Sequence, residues 1–135
     1  MKTEQIKGQK EEELTKHIFQ LESKLFQKTI SYHLIEKNSD GKYFDLNEQK
    51  QLYSDIFSTY TTLVSTIWVA CPYLTIDDII FCCLTKLGIR NSDICYCMGC
   101  VNKQTVNQRK YRIKKKMIEV KREDLFDVIF ELEGL

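Results

Sequence analysis

The chain has 135 residues, 43% of them hydrophobic and 29% charged, which is enough apolar content for one buried core and too little length for two large domains. One proline and five glycines leave long uninterrupted runs, excluding a collagen-like or low-complexity chain and favouring helices. The formal net charge of +1 conceals an asymmetry: Asn102 to Arg122 carry nine Lys or Arg against one acid, Glu119, a local +8 set against −7 over the remainder. A basic segment in a nearly neutral chain is the electrostatic footprint expected of a polyanion binder.

The polar start, Met1 to Glu13, lacks the apolar run of a signal peptide and reads as a flexible tail over 1–10. Residues 11–36 read as one helix. Leu14, Ile18, Leu21 and Leu25 follow a 4-3-4 spacing that Phe26 and Ile30 extend, so this stripe either packs on its own domain or pairs two chains as a coiled coil. Lys37 to Lys42, with Asp40-Gly41 inside it, forms a turn. Asp45 and Glu48 have capping-box spacing and open a second helix with the apolar face Leu46, Leu52 or Tyr53, Ile56, Tyr60, Leu63, Val64, Ile67 and Trp68, an aromatic expected in the core. Pro72 ends it. Residues 11–71 therefore form a helical extension, a hairpin or coiled coil that could serve dimerisation. The longest apolar stretch, Leu63 to Leu74, is interrupted by Ser65, Thr66 and Pro72 and is too short and polar to span a bilayer; a cytoplasmic chain with no membrane contact is expected.

Thr75 and Asp78 cap a third helix over 76–87, whose inward positions are Ile79, Ile80, Cys83, Leu84 and Leu87, and Gly88 takes the position just beyond its end. A short helix covers roughly 92–98, capped by Asn91 or Ser92, with Ile94, Cys95 and Met98 inward and Gly99 as the turn. Val101 plugs the gap beneath that turn, and Asn102 caps a basic helix running to about Val120 with Val106, Ile113 and Met117 buried. A last amphipathic helix over 123–132 presents Leu125, Phe126, Ile129 and Leu132. The fold class is all-α: the extension followed by a helix-turn-helix bundle over 72–135.

A helix, a short bracing helix, a tight turn and a basic helix are the parts of a helix-turn-helix, in which the last helix fits the width of the DNA major groove and the brace sets its entry angle. Lys103, Gln104, Asn107, Gln108 and Tyr111 occupy the front half of the basic helix. Gln104, Asn107 and Gln108 can form paired hydrogen bonds to base edges, and Lys103 can read guanine or touch phosphate. Thr105, Arg109, Lys110, Arg112 and Lys114 are placed as phosphate contacts, which set register and affinity rather than sequence preference; Lys115 and Lys116 continue the positive field.

Residues 74–117 resemble the C-terminal output domain of LuxR/sigma-region-4-like regulators. The resemblance rests on Leu74-Thr75, Gly88, Asn91, Asp93-Ile94, Cys95, Gly99, Thr105-Val106, Ile113 and Lys116-Met117. A wider stretch, 44–132, is similar to the tail of Bacteroidetes regulators that carry tetratricopeptide repeats, with Cys71-Pro72-Tyr73-Leu74 matching their aromatic-Pro-Leu step. The resemblance implies that Thr105-Val106 opens the recognition helix, that Ile113 and Met117 anchor it, and that the protein contacts RNA polymerase or another regulatory protein. The sequence departs from that pattern at Gly99-Cys100-Val101-Asn102, one residue longer than the usual lead-in, and at Arg90, where the family favours Ser.

Cys97 and Cys100 have CxxC spacing, with Cys95, Cys82 and Cys83 nearby, so a zinc or redox centre is conceivable. Cys83 and Cys95 are equally explained as small buried residues, and in a reducing compartment the thiols persist. His17 and His33 belong to no dense ligand motif, no phosphate-binding loop follows a strand, and Asp77 and Asp78 read as first-turn residues. The expectation is a non-enzymatic, sequence-specific binder of double-stranded DNA acting as a homodimeric transcription regulator, with no metal or cofactor. The competing expectation is a protein-interaction module or anti-regulator that uses the apolar faces of 11–36 and 123–132.

Overall fold

A computed structural model of the chain describes the backbone of residues 2–99 and 103–130 and the side chains of 13–99 and 105–130. It is all-helical: among the described residues there are eight helices and no strand. They are α1 (Lys2–Phe26), α2 (Ile30–Glu36), α3 (Leu46–Thr59), α4 (Thr61–Ala70), α5 (Ile76–Leu87), α6 (Asn91–Met98), α7 (Lys103–Glu119) and α8 (Glu123–Phe130). Helical backbone thus already runs through the stretch expected to be a tail.

The single helix expected over 11–36 is two. Thr29 makes the break by serving both ends: its hydroxyl donates to the Phe26 carbonyl at 2.6 Å and accepts the Tyr32 N–H at 3.3 Å as the cap of α2. The Ser31 N–H finds Asp55 of α3 at 3.1 Å, so α2 folds back on α3. The expected apolar stripe is also divided. Phe26 is in the core, whereas Leu14, Leu21, Leu25 and Ile30 are exposed. The face of α1 that packs on α3 and α4 is centred instead on Phe19, Glu22 and Phe26.

The second expected helix breaks as well, at Tyr60, whose backbone (φ −91°, ψ 44°) closes α3 and opens α4. Tyr60 offers α4 no side-chain cap. Glu22, buried on α1, supplies one from across the fold: one carboxylate oxygen accepts the Thr62 N–H at 2.7 Å and the Thr61 hydroxyl at 3.1 Å, and the other accepts the Leu63 N–H at 3.0 Å. These amides would otherwise lack partners at a helix start, and the carboxylate faces the positive end of the α4 dipole. Beside it the Tyr60 hydroxyl donates to Ser23 at 2.7 Å. Helix α4 buries Leu63, Val64 and Ile67 and leaves Trp68, expected in the core, 51% exposed. Leu46, also expected inward, is exposed in the first turn of α3.

Between α2 and α3 the chain runs against α6. Gly41 (φ +66°) lies against Tyr96 of α6, where a Cβ would stand 3.0 Å from the tyrosine ring. The Phe44 N–H donates to the Tyr96 carbonyl at 2.9 Å, and Tyr43 meets the Tyr96 ring edge-on. At the centre lies α5, opened by the expected Thr75/Asp78 capping box and closed by left-handed Gly88 (φ 89°). It buries Ile79 through Leu84 in succession, the pattern of a helix covered on all sides. Helices α3, α4 and α8 pack around it, and α7 lies between α6 and α8. The buried side chains of both halves join in one cluster.

Glu22→Ala removes the α4 cap and strands three donors. Stability should fall by about 1–3 kcal/mol, read as a lower urea midpoint with an unchanged slope. Glu22→Gln, which keeps one carbonyl acceptor, should lose less.

Candidate nucleic-acid interface

Helix α7 has two distinct sides. Val106, Ile113 and Met117 are buried, and half-buried Arg109 and Lys116 border them. At helical spacing this puts Asn107, Gln108, Tyr111, Lys115 and Ile118 on the opposite side, all of them exposed. Three of the five residues expected to read bases, Asn107, Gln108 and Tyr111, therefore share one outward row. Gln104 falls in the same row by position; the side chains of Lys103 and Gln104 lie outside the described residues, as do Cys100, Val101 and Asn102 of the turn. The Lys115 ammonium stands 5.5 Å from the Tyr111 ring centroid, so this lysine, expected only to extend the field, belongs to the outward row. Ile118 joins it 46% exposed, which nothing in the basic pattern indicated.

The residues expected to touch phosphate do not share one place. Lys110 and Lys114 flank the row on the α8 side, each ammonium 5.5 Å from a ring centroid, Phe130 and Phe126 respectively. These rings stack on each other at 4.3 Å and form an apolar shelf that holds the lysine stems while the charged ends stay exposed. Arg112 flanks the other side, its side chain 55% exposed. Thr105 is half-buried. Arg109 is turned inward, its side chain 19% exposed, with its guanidinium 2.7 Å from Asp78. Its charge is occupied within the fold, which corrects its placement as a free phosphate clamp.

Asp78 is the counterpart that sequence reading treated as an ordinary first-turn acid. Its side chain is 1% exposed. One oxygen accepts the Thr75 N–H at 3.1 Å, and the other takes Arg109 at 2.7 Å and Arg112 at 3.5 Å. Burial pushes its pKa up, but the Thr75 hydrogen bonds and the two guanidinium groups outweigh that and hold the carboxyl below its ordinary value. The ion pair fixes how α7 is rotated about its own axis, and thus which residues face outward. Lys116 adds a second tie, donating to the Tyr73 carbonyl at 3.2 Å.

The bracing helix α6 starts at Asn91, so Asn91 and Ser92 are its first residues rather than caps. The cap position is Arg90, without a side-chain cap bond; its guanidinium pairs with Asp93 at 3.1 Å instead. Ile94, Cys95 and Cys97 are buried and Gly99 (φ 72°) makes the turn. A cleft of about 310 Å³ opens between the ends of α5 and α8 and the starts of α6 and α7. It brings Arg90 and Asn91 beside Asn107 and Lys110, extending the polar, cationic surface past α7 to two residues given no such role from sequence.

Cys71, Cys82, Cys83, Cys95 and Cys97 are all buried, so Cys82 and Cys97, the least explained from sequence, are core residues. Among the described residues no group of three or more His, Cys, Asp or Glu is arranged to hold a metal ion; Cys100 lies outside them. Burial pushes the Cys97 thiol up to about 12 and also pushes the Cys82 and Cys83 thiols well above their ordinary value. Among the described residues no helix is long and apolar enough to cross a membrane. No protein-family model, curated protein or solved structure matches the chain.

Two outcomes test this arrangement. Asp78→Asn leaves the half-buried Arg109 guanidinium facing a neutral amide and should cost about 1–3 kcal/mol at neutral pH. Because the folded carboxyl is depressed, its contribution is complete above the unfolded value near pH 4 and is lost as pH falls through the folded value. Urea unfolding between pH 7 and pH 2 should show that acid-side loss in the parent and a flatter profile in the variant. Separately, the five buried thiols should react with a thiol reagent at pH 8 only as fast as the protein opens, and promptly in denaturant.

Proposed function

We propose that the protein binds double-stranded DNA through α7 and acts as a transcription regulator, pairing to read a pseudopalindromic site. The observation that carries this reading is the outward row Asn107–Gln108–Tyr111–Lys115, bordered on both sides by cations, on a helix whose inner side is locked by a buried ion pair. A single helix of this width enters a major groove, Asn and Gln pair with base edges there, and lysines on its flanks meet the two phosphate ridges. The α8 shelf holds Lys110 and Lys114 toward one ridge; Arg112, with Arg90 and Asn91 across the cleft, adds to the field. Helix α6 sets the approach angle. In a dimer two such helices stand about 34–36 Å apart, one turn of the duplex. RNA polymerase or a regulatory protein is the further partner this reading implies, and the cytoplasm its setting. The competing reading, a protein-interaction module, loses one of its two surfaces, because Leu125, Phe126 and Ile129 of α8 are used inside the fold.

The test is a titration of the full chain against random and selected duplexes at two salt concentrations. Binding should weaken steeply with salt. Lys114→Ala should weaken all duplexes about equally and reduce the salt slope by about one. Asn107→Ala or Gln108→Ala should cost about 1–3 kcal/mol on the preferred site and little on random DNA. Failure to bind at low salt, or binding without a salt slope, overturns the reading.

A further inference from the structure

The cleft between the ends of α5 and α8 and the starts of α6 and α7 combines two kinds of lining. Phe81, Ile89, Val106 and Phe130 supply apolar surface, with the Phe81 and Phe130 rings 6.0 Å apart and tilted by 38°. Thr85, Asn91, Asn107 and Lys110 supply polar groups. None of the ten lining residues is acidic. The volume of about 310 Å³ equals that of roughly ten water molecules in the liquid and lies at the lower end of the range for small-molecule sites.

The polar groups are uncommitted. Among the described residues no hydrogen bond or ion pair engages the side chain of Asn91, Asn107 or Lys110; the Lys110 ammonium only overlies the Phe130 ring, 5.5 Å from its centroid. Two acids lie near. Asp93 is paired with Arg90 at 3.1 Å, which leaves Lys110 as the free charge of the cleft. Asp127 lines a neighbouring hollow that shares Lys110 and Phe130, not this one. A lysine and two carboxamides next to two phenyl rings suit an organic anion with a flat apolar body. The anionic group meets the donors, and the body covers the rings. A bare phosphate, as in a duplex backbone, has no use for the apolar lining, and a neutral hydrocarbon has none for the lysine.

We propose that this cleft binds a small aromatic carboxylate, and that an occupied cleft and a DNA duplex exclude each other. The exclusion follows from shared residues. Asn107 belongs to the outward row of α7 and Lys110 flanks it, so a carboxylate held by both takes a base-reading amide and a phosphate-facing charge out of use. The coupling is reciprocal: the duplex weakens the carboxylate by the factor with which the carboxylate weakens the duplex. The site stands on the cleft alone, whereas the exclusion rests on the DNA-binding reading, so each can fail separately.

The probe is naphthalene-2-carboxylate, titrated into the full chain at neutral pH and followed by backbone amide chemical shifts. Saturable shifts should centre on residues 85–91 and 106–110, with a dissociation constant of about 1 mM or tighter for a ligand of this size. Lys110→Met, which keeps an apolar stem over Phe130, should weaken binding by at least about tenfold, and Asn91→Ala should weaken it less. Both side chains are exposed, so the melting temperature should not change. Neutral naphthalene-2-carboxamide and inorganic phosphate each lack one half of the pattern and should bind at least about tenfold more weakly than the carboxylate. At ten times its dissociation constant, the carboxylate should raise the apparent duplex dissociation constant about tenfold relative to equal sodium acetate. No saturable shift at these amides, equal binding of the carboxamide or of phosphate, or unaltered binding by Lys110→Met overturns the site. Cleft binding with unchanged duplex affinity overturns the exclusion. A chain that binds the carboxylate and no duplex leaves the site standing and overturns the proposed function, and the exclusion with it.

Discussion

A carboxylate removed from water demands partners, and the demand of Asp78 organises the half of the molecule that carries α7. Burial alone would favour a protonated acid. The Thr75 amide and two guanidinium groups keep it charged, so the group acts as cap to α5 and anchor to α7 at once. A rotation of α7 by one residue would withdraw Arg109 and leave the buried Asp78 carboxylate without its nearest cation. The outward row of Asn107, Gln108 and Tyr111 is therefore set from beneath by an ion pair rather than by any contact of its own. The directions of those side chains are thus set by the fold beneath them.

The N-terminal half repeats the device across a longer span. Glu22 on α1 satisfies the opening amides of α4, about forty residues further along the chain. Both carboxylates sit at helix starts, where unpaired N–H groups and the dipole favour an anion, and both let a polar group enter a core made largely of Leu, Ile, Phe and Cys. They differ in reach. Asp78 completes its own helix and captures another, whereas Glu22 completes a helix to which it does not belong and so holds α1 in place.

Features encoded within a few residues were legible in sequence. The Asp45/Glu48 and Thr75/Asp78 boxes, the left-handed glycines 88 and 99, and the inner positions Val106, Ile113 and Met117 all follow from local chemistry. The outward grouping of Asn107, Gln108 and Tyr111 follows from those inner positions by helical period. The breaks at Thr29 and Tyr60 were hidden because apolar periodicity runs nearly unbroken through both, and the group that stabilises the second break comes from another helix. The inward turn of Arg109 was hidden for the same reason: a run of Lys and Arg shows that charge is present, but not which member meets a buried acid 31 residues away. Periodicity likewise shows that a face is apolar without showing what covers it. Trp68 and the leucines of α1 are the cost of that ambiguity.

The position of α5 bears on how such a protein can change over generations. Seven consecutive residues of this helix, Asp78 to Leu84, are buried, against elements drawn from both halves of the chain. The segment after Cys71 is thus no interchangeable cassette: parted from α3 and α4, α5 would present Ile, Phe and Cys side chains to water. Recombination at that junction would break the shared core. Point substitution on the exposed row of α7 would not, because those side chains lie outside it and can vary with little effect on folding. A molecule built this way keeps its architecture as one inherited block and confines its capacity for novelty to a few solvent-facing positions on a single helix.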